Sequence, residues 1–177
     1  MSRIAFAVLA SLAVIGLAGC FECEYPVAPL EKGKVDLGYV GDWILHNAKE
    51  KEAEPAELVL RNLHNDEYYV EFGDKDGDRS RATGYLTKVG NTTFASVLPL
   101  KDDGTLAPKH SIWRIDRKSA DEFTIRGLNP EFFKDKKIES SDDLRKLIAA
   151  NLKDDAMYTG DPIVAKRDKA ESSAQKN

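Results

Sequence analysis

Two cysteines near the start of the chain, Cys20 and Cys23, have the spacing that most directly suggests chemistry. They are the only cysteines in the sequence of 177 residues. A C-x-x-C spacing is typical of a redox-active pair or of half a zinc site. The residues around Cys20 decide whether its sulfur is free for either use.

The three histidines are the next candidates, because imidazole is the side chain best suited to proton transfer near neutral pH. His46, His64 and His110 are far apart in the sequence and do not form the H-x-x-x-H or H-E-x-x-H spacing of a zinc site. The sequence also contains no Gly-x-Ser-x-Gly turn that would expose a nucleophilic serine. We therefore expect a binding protein rather than an enzyme, with no catalytic residue, cofactor or metal site.

Residues 74–78, with the sequence DKDGD, resemble the first half of a calcium-binding loop. Alternating carboxylates are suitable ligands for a hard cation. However, the glycine is at the fourth position of the loop rather than the sixth, and the twelfth position is Tyr85 rather than a glutamate. A solvated turn between two strands is the better interpretation of this segment.

The first 20 residues have the layout of an export signal. Arg3 is followed by an apolar run from Ile4 to Ile15, which is too short for a comfortable transmembrane helix. The run ends at Leu17-Ala18-Gly19-Cys20. This motif resembles the lipobox of bacterial lipoproteins; an ordinary signal peptide or a plain membrane anchor is the alternative.

The resemblance to lipoproteins implies that residues 1–19 are a cleaved signal peptide and that Cys20 carries the lipid. In that family an aspartate after the cysteine retains the protein at the inner membrane, whereas here the residue is Phe21. For a Gram-negative host, this implies the outer membrane, with the domain facing the periplasm and the membrane as a partner. Cys20 would then not be free for redox chemistry, and Cys23 would be unpaired in an oxidising compartment.

Composition and charge indicate one globular domain. The chain has 26 basic and 30 acidic residues, mixed along its length, and a net charge of −4. It lacks the basic stripe of a nucleic-acid binder, so we expect no nucleic-acid partner. Prolines and glycines in residues 20–38 suggest a tether between lipid and domain, and residues 168–177 suggest a disordered polar tail.

Between these segments, apolar residues alternate with polar ones, which predicts short strands with one buried face. Six of these strands are centred on the pairs or triplets Leu58/Leu60, Tyr68/Val70/Phe72, Phe94/Ser96/Leu98, Trp113/Ile115, Phe123/Ile125 and Ile163/Ala165. Residues 43–46 and 83–89 supply two more. A single helix beginning near Ser141 comes before the last strand. The predicted fold class is all-β, an antiparallel barrel of about eight strands with one helix before the last strand.

The first strand contains Gly41-x-Trp43, which resembles the start of lipocalin and calycin barrels. The resemblance implies a lipocalin-like β domain over residues 39–167. It also implies that Trp43 closes one end of the barrel and that Arg167, near the last strand, packs over it as a cation–π pair. An ordinary core tryptophan is the alternative role for Trp43.

Five aromatic residues fall on the predicted inward phase of the strands, where they either line a pocket for an apolar ligand or plug the barrel. They are Tyr68, Phe72, Phe94, Trp113 and Phe123. The first case predicts a lipid-anchored protein that binds a small apolar molecule or a lipid. The second predicts an accessory lipoprotein with a solid core that binds another protein of the cell envelope.

Overall fold

The computed structural model of the chain describes residues 21–30, 35–47, 55–64, 66–74 and 77–169. The predicted signal peptide and Cys20 lie outside these ranges, as does residue 170 onward of the predicted tail. Residues 48–54 and part of the acidic turn at 74–78 also lie outside them. All structural statements below concern the described residues.

The described residues form nine strands and two α-helices, together with the short 3₁₀ helices Leu37–Tyr39 and Asp155–Met157. The strands are β1 (Glu22–Cys23), β2 (Gly41–Asn47), β3 (Ala56–His64), β4 (Glu67–Gly73), β5 (Arg79–Val89), β6 (Thr92–Leu100), β7 (His110–Arg117), β8 (Glu122–Gly127) and β9 (Ile163–Arg167). The α-helices between β8 and β9 are α1 (Pro130–Phe133) and α2 (Ser141–Asn151). This composition confirms the predicted all-β class with a helix before the last strand.

Strands β2 to β9 form a closed antiparallel barrel in which each strand pairs with its neighbour in sequence. The first and last strands complete the ring, with pairs running from Trp43↔Arg167 to Asn47↔Ile163. Closure leaves the eight strands without an unpaired edge. The predicted eight-stranded barrel is therefore confirmed, and β1 is an additional strand outside the ring.

The barrel wall is exposed on one side and covered on the other. On the outer face of β3 to β5, Arg79 forms ion pairs with Glu57 at 2.5 Å and with Glu71 at 3.1 Å. The Tyr69 hydroxyl donates to Glu71, and this hydrogen bond holds the pKa of the Glu71 carboxyl below its usual value. This polar outer face explains why the apolar alternation of β3 and β4 is clear in the sequence.

The outer face of β5 to β7 is buried beneath the helices and the N-terminal segment. A cluster there contains Val89, Phe94, Ile112, Leu144 and Ile148. A separate cluster inside the barrel is built from inward residues such as Trp43, Leu58 and Phe123. The wall formed by these three strands is thus apolar on both faces.

This two-sided burial corrects the predicted position of Phe94. The ring is fully buried, but it packs in the outer cluster rather than in the barrel interior. Ala95 and Val97 are the residues of β6 that pack with the inner cluster. The sequence therefore predicted the period of β6 correctly but assigned the wrong residues to its inward face. Both faces of this strand are apolar, so the pattern does not distinguish them.

The N-terminal segment also differs from the prediction. Residues 21–30, interpreted as part of a tether, pack on the barrel: Glu22 and Cys23 pair with β7, and the Phe21 ring stacks on Phe133 at 4.2 Å. Further along, the Val27 amide donates to Ser96 Oγ at 3.1 Å. Burial of irregular chain lacks a sequence period, which is why Pro26 and Pro29 suggested a tether.

Helix α2 covers the outer cluster by burying Leu144 and Ile148. The helix begins at Ser141, where the sequence predicted its start, and its N-cap is Ser140, whose hydroxyl oxygen accepts from the Asp143 amide at 3.1 Å. Asp142 and Asp143 lie in the first turn, where the helix dipole favours negative charge. With eleven residues, α2 is the longest of the described helices, and none of them could span a bilayer.

The packing of Phe21 predicts a stability effect that a tether residue would not have. In residues 21–177, we expect Phe21→Ala to lower the unfolding free energy by about 3 kcal/mol through loss of a buried aromatic ring. Leu37→Ala, at a leucine that is 67% exposed, should change it by less than about 0.5 kcal/mol. Urea unfolding monitored by tryptophan fluorescence measures both; equal, small effects would mean that the segment is a tether after all.

Candidate functional site

The interior of the barrel contains a cavity of about 160 Å³, and it is the candidate site. All eight barrel strands contribute to its lining, which is formed by carbon-rich side chains. The aliphatic part of the lining consists of Leu45, Leu58, Leu60, Val70, Leu86, Val97, Ile115, Ile125 and Ile163. The cavity therefore offers dispersion contacts and almost no hydrogen-bonding groups.

Four of the five aromatic residues predicted from the sequence line this cavity, namely Tyr68, Phe72, Trp113 and Phe123. They narrow the interior without filling it. Phe94 is excluded because it lies on the outer face. Among the described residues, the cavity favours the interpretation in which the aromatics line a pocket over the one in which they plug the barrel.

Small residues on the inner face help to create the space, and the sequence analysis did not identify them. Ala95 pairs across the sheet with Trp113, so a methyl group lies beside the largest side chain of the lining. Ala56 lines the cavity from β3. These small residues could have been found from the sequence, because they alternate in phase with the large inward residues. Finding Ala95 in this way, however, requires knowing which face of β6 points inward.

The hydroxyl group of Tyr68 is satisfied by the backbone rather than left for a ligand. It accepts from the Asp36 amide at 2.5 Å and donates to the Asp36 carbonyl at 2.9 Å. Burial raises the pKa of Tyr68 to about 12, so the phenol is neutral at physiological pH. Its ring faces the cavity while its polar end fastens the segment that precedes β2.

One end of the barrel is closed by an aromatic cluster. The ring of Phe123 makes edge-to-face contacts with Trp43 at 4.6 Å and with Tyr39 at 5.2 Å. The Trp43 Nε1–H group donates to the Tyr39 carbonyl at 2.8 Å. Trp43 is fully buried, and the cluster fills the space at this end of the inner core.

The predicted pairing of Arg167 with Trp43 is confirmed. The guanidinium carbon of Arg167 lies 4.2 Å from the centre of the indole ring. The same group donates to the carbonyls of Gly38 at 2.8 Å, Val40 at 3.1 Å and Ala120 at 3.3 Å. Arg167 thus joins the first and last barrel strands to the segment that closes this end.

The glycine of the Gly41-x-Trp43 motif is required by this arrangement. Gly41 has a φ of +143°, a conformation that residues with a side chain rarely adopt. A Cβ atom at this position would also collide with Arg167 Nη1. The motif therefore combines close approach of the arginine at residue 41 with burial of the indole at residue 43.

The residues considered for catalysis or metal binding do not form a site within the described ranges. No group of three or more histidine, cysteine, aspartate or glutamate side chains there could hold a metal ion. His110 is half-buried, and burial lowers the pKa of its imidazole. Cys23 is buried in the outer cluster, and burial raises the pKa of its thiol, which lowers its reactivity.

No protein-family model, curated protein or solved structure matches this chain. The resemblances to lipoproteins and lipocalins consequently remain predictions from the sequence. What the structure establishes is the closed eight-stranded antiparallel barrel with an apolar cavity in its interior.

The contacts of Arg167 predict that lysine cannot replace it. We expect Arg167→Lys to lower the unfolding free energy by about 1–3 kcal/mol, because one ammonium cannot stack on Trp43 and also serve three carbonyls. Asp121→Asn, which removes only the exposed ion pair of Arg167 at 3.3 Å, should cost less than about 1 kcal/mol. Urea unfolding of residues 21–177 compares the two variants; a smaller loss for Arg167→Lys than for Asp121→Asn would contradict the assigned role.

Proposed function

We propose that this chain is a lipid-anchored lipoprotein of the bacterial cell envelope whose barrel binds a small apolar molecule. The observation that carries the binding role is the apolar cavity of about 160 Å³ inside the barrel. Its lining of leucine, isoleucine, valine and aromatic rings favours a neutral hydrocarbon group over a polar or charged one.

The size of the cavity restricts the ligand. An apolar cavity of about 150 Å³ in another protein holds benzene, whereas pockets for drug-sized molecules have about 300 Å³ or more. The ligand proposed here is therefore a single ring or the end of one hydrocarbon chain. Since Trp43 lies at one end of the barrel, the proposed route of entry is the opposite end, to which the connections from β4 to β5 and from β6 to β7 belong.

The anchor is proposed from the sequence of residues 17–20, which lie outside the described structure. Lipid chains contribute about 0.8 kcal/mol per buried CH₂ group, so several chains on Cys20 would hold the protein on the membrane. For a Gram-negative host, Phe21 rather than an aspartate at the next position supports anchoring at the outer membrane, with the domain facing the periplasm. Together these features support the proposal of a hydrocarbon-binding barrel held near a membrane, which is rich in hydrocarbon ligands.

The alternative proposal is an accessory lipoprotein that binds another envelope protein through its surface. It would be supported by a filled interior and a contiguous exposed apolar patch. The cavity argues against a filled interior. The large exposed apolar side chains in the described ranges lie in four different segments, as Leu30, Leu37, Leu63 and Leu106. We therefore favour the small-ligand proposal.

Filling the cavity should abolish binding. We expect toluene, chosen as a probe of the right size, to shift the methyl NMR signals of cavity residues saturably in residues 21–177. Ala95→Leu should remove this saturable shift, because its isobutyl group occupies the space beside Trp113. Ala150→Leu makes the same chemical change on the exposed face of α2 and should leave binding intact.

Urea midpoints establish that both variants are folded. An unchanged toluene response in Ala95→Leu would show that binding occurs elsewhere. The absence of any saturable response up to the solubility of toluene would instead favour the accessory-protein alternative. Native mass spectrometry of residues 21–177 recovered from the periplasm then identifies a natural ligand as a mass that is lost on denaturation.

The lipid anchor is tested separately from the cavity. We expect Cys20→Ala in the full chain to prevent lipid attachment, which would abolish the mass increase of the mature protein and its extraction into detergent. The barrel itself should be unaffected, since the described domain begins after residue 20. A lipid-sized mass increase that persists in Cys20→Ala would overturn the assignment of Cys20.

A further inference from the structure

The residues that directly follow residue 20 are packed against the folded domain. The Phe21 amide donates to the Leu128 carbonyl at 3.1 Å, and its ring stacks on Phe133 of α1 at 4.2 Å. The next two residues, Glu22 and Cys23, pair with Ser111 and His110 of β7. The first described residue after the proposed lipid site is therefore already part of the folded domain.

Covalent geometry converts this packing into a distance limit. Consecutive Cα atoms across a trans peptide are about 3.8 Å apart, so a lipid on residue 20 is attached within one peptide unit of Phe21. A flexible linker of the length of residues 20–38 would instead have an average span of roughly 25 Å. The packing of residues 21–30 removes most of that reach.

The ring of Phe21 contacts α1 through Phe133, and we call Pro130–Phe133 together with residues 134–137, which follow it in the chain, the anchor face. Phe132 is half-buried in this face, and Lys136 Nζ lies 5.8 Å from its ring centre. Lys134 and Lys137 are exposed, with side-chain exposures of 67% and 80%. An aromatic ring among lysines with long aliphatic stems is suited to the interfacial zone of a bilayer.

Charge alone does not explain attraction of this face to a membrane. Lys134 pairs with Glu131 at 3.6 Å, and Lys137 pairs with Glu139 at 3.1 Å. Acidic and basic groups are therefore balanced around α1. The short covalent connection, rather than a basic patch, is the feature that brings this face to the bilayer.

We propose that the anchor face lies directly on the bilayer surface, so that the lipoprotein is held in one fixed orientation without a spacer. This inference rests on the proposed lipid at Cys20. Its partner is the headgroup region of the membrane that contains the lipid. The charged outer face of β3 to β5, on the opposite side of the ring of strands, then faces away from the membrane.

The test uses the lipidated full chain, inserted from detergent into the outer leaflet of preformed vesicles of phosphatidylethanolamine and phosphatidylglycerol. Lys134→Cys places a thiol on the anchor face, and Asn62→Cys places one on exposed β3 as the matched control. A bulky, membrane-impermeant maleimide reports the accessibility of each thiol. The native Cys23 is buried, and Cys20 is blocked by its lipid.

Each cysteine variant is compared with the same variant carrying a flexible Gly/Ser spacer of about ten residues between Cys20 and Phe21. We expect labelling at residue 134 to be several-fold slower without the spacer than with it. Labelling at residue 62 should be the same in both forms. Near-UV circular dichroism confirms that the spacer and the substitutions leave the fold intact.

The outcomes separate this inference from the proposed function. If the protein floats with the vesicles but residue 134 is labelled equally with and without the spacer, the fixed orientation is wrong and the anchor remains. If the protein carries no lipid and does not float, the anchor is wrong, and this inference fails with it.

Discussion

Closure of the sheet between β2 and β9 is the constraint on which the rest of this structure depends. The pairing of these two strands begins where Trp43 lies opposite Arg167. The guanidinium of Arg167 lies over the indole and donates to the carbonyls of Val40 and Ala120. Gly41, with a φ of +143° that residues with a side chain rarely adopt, leaves room for that guanidinium. The same contacts therefore close the ring of strands and close one end of the barrel.

The interior follows from that closure. Eight strands give a barrel just wide enough to be filled by side chains or to hold one small ligand. Here large rings such as Trp113 lie next to small residues such as Ala95, and the sum of the inward side chains leaves the space partly empty. The proposal of a small apolar ligand therefore rests on the volume that the inward side chains leave unfilled. It does not rest on a polar group that would recognise a ligand.

The sequence predicted the strands well where their two faces differ. In β3 and β4 the inner residues are apolar and the outer ones form ion pairs, so that period and phase are both evident. The pairing of Trp43 with Arg167 was also predictable, because the resemblance of the Gly41-x-Trp43 motif to lipocalin and calycin barrels implied an arginine near the last strand. In β6 both faces are buried, so the sequence pattern wrongly predicted that Phe94 points inward. The inward residue is Ala95. The N-terminal segment was missed for a related reason, since its burial depends on contacts such as that between Val27 and Ser96, distant in sequence.

The empty space in the barrel also determines how the fold responds to hydrostatic pressure. Unfolding fills internal voids with water, so the volume decrease on unfolding grows with the volume of the void, which is about 160 Å³ here. Pressure should therefore unfold the ligand-free barrel more readily than a fully packed protein of its size. A molecule that occupies the interior would shrink the void and, with it, the compressibility of the whole domain.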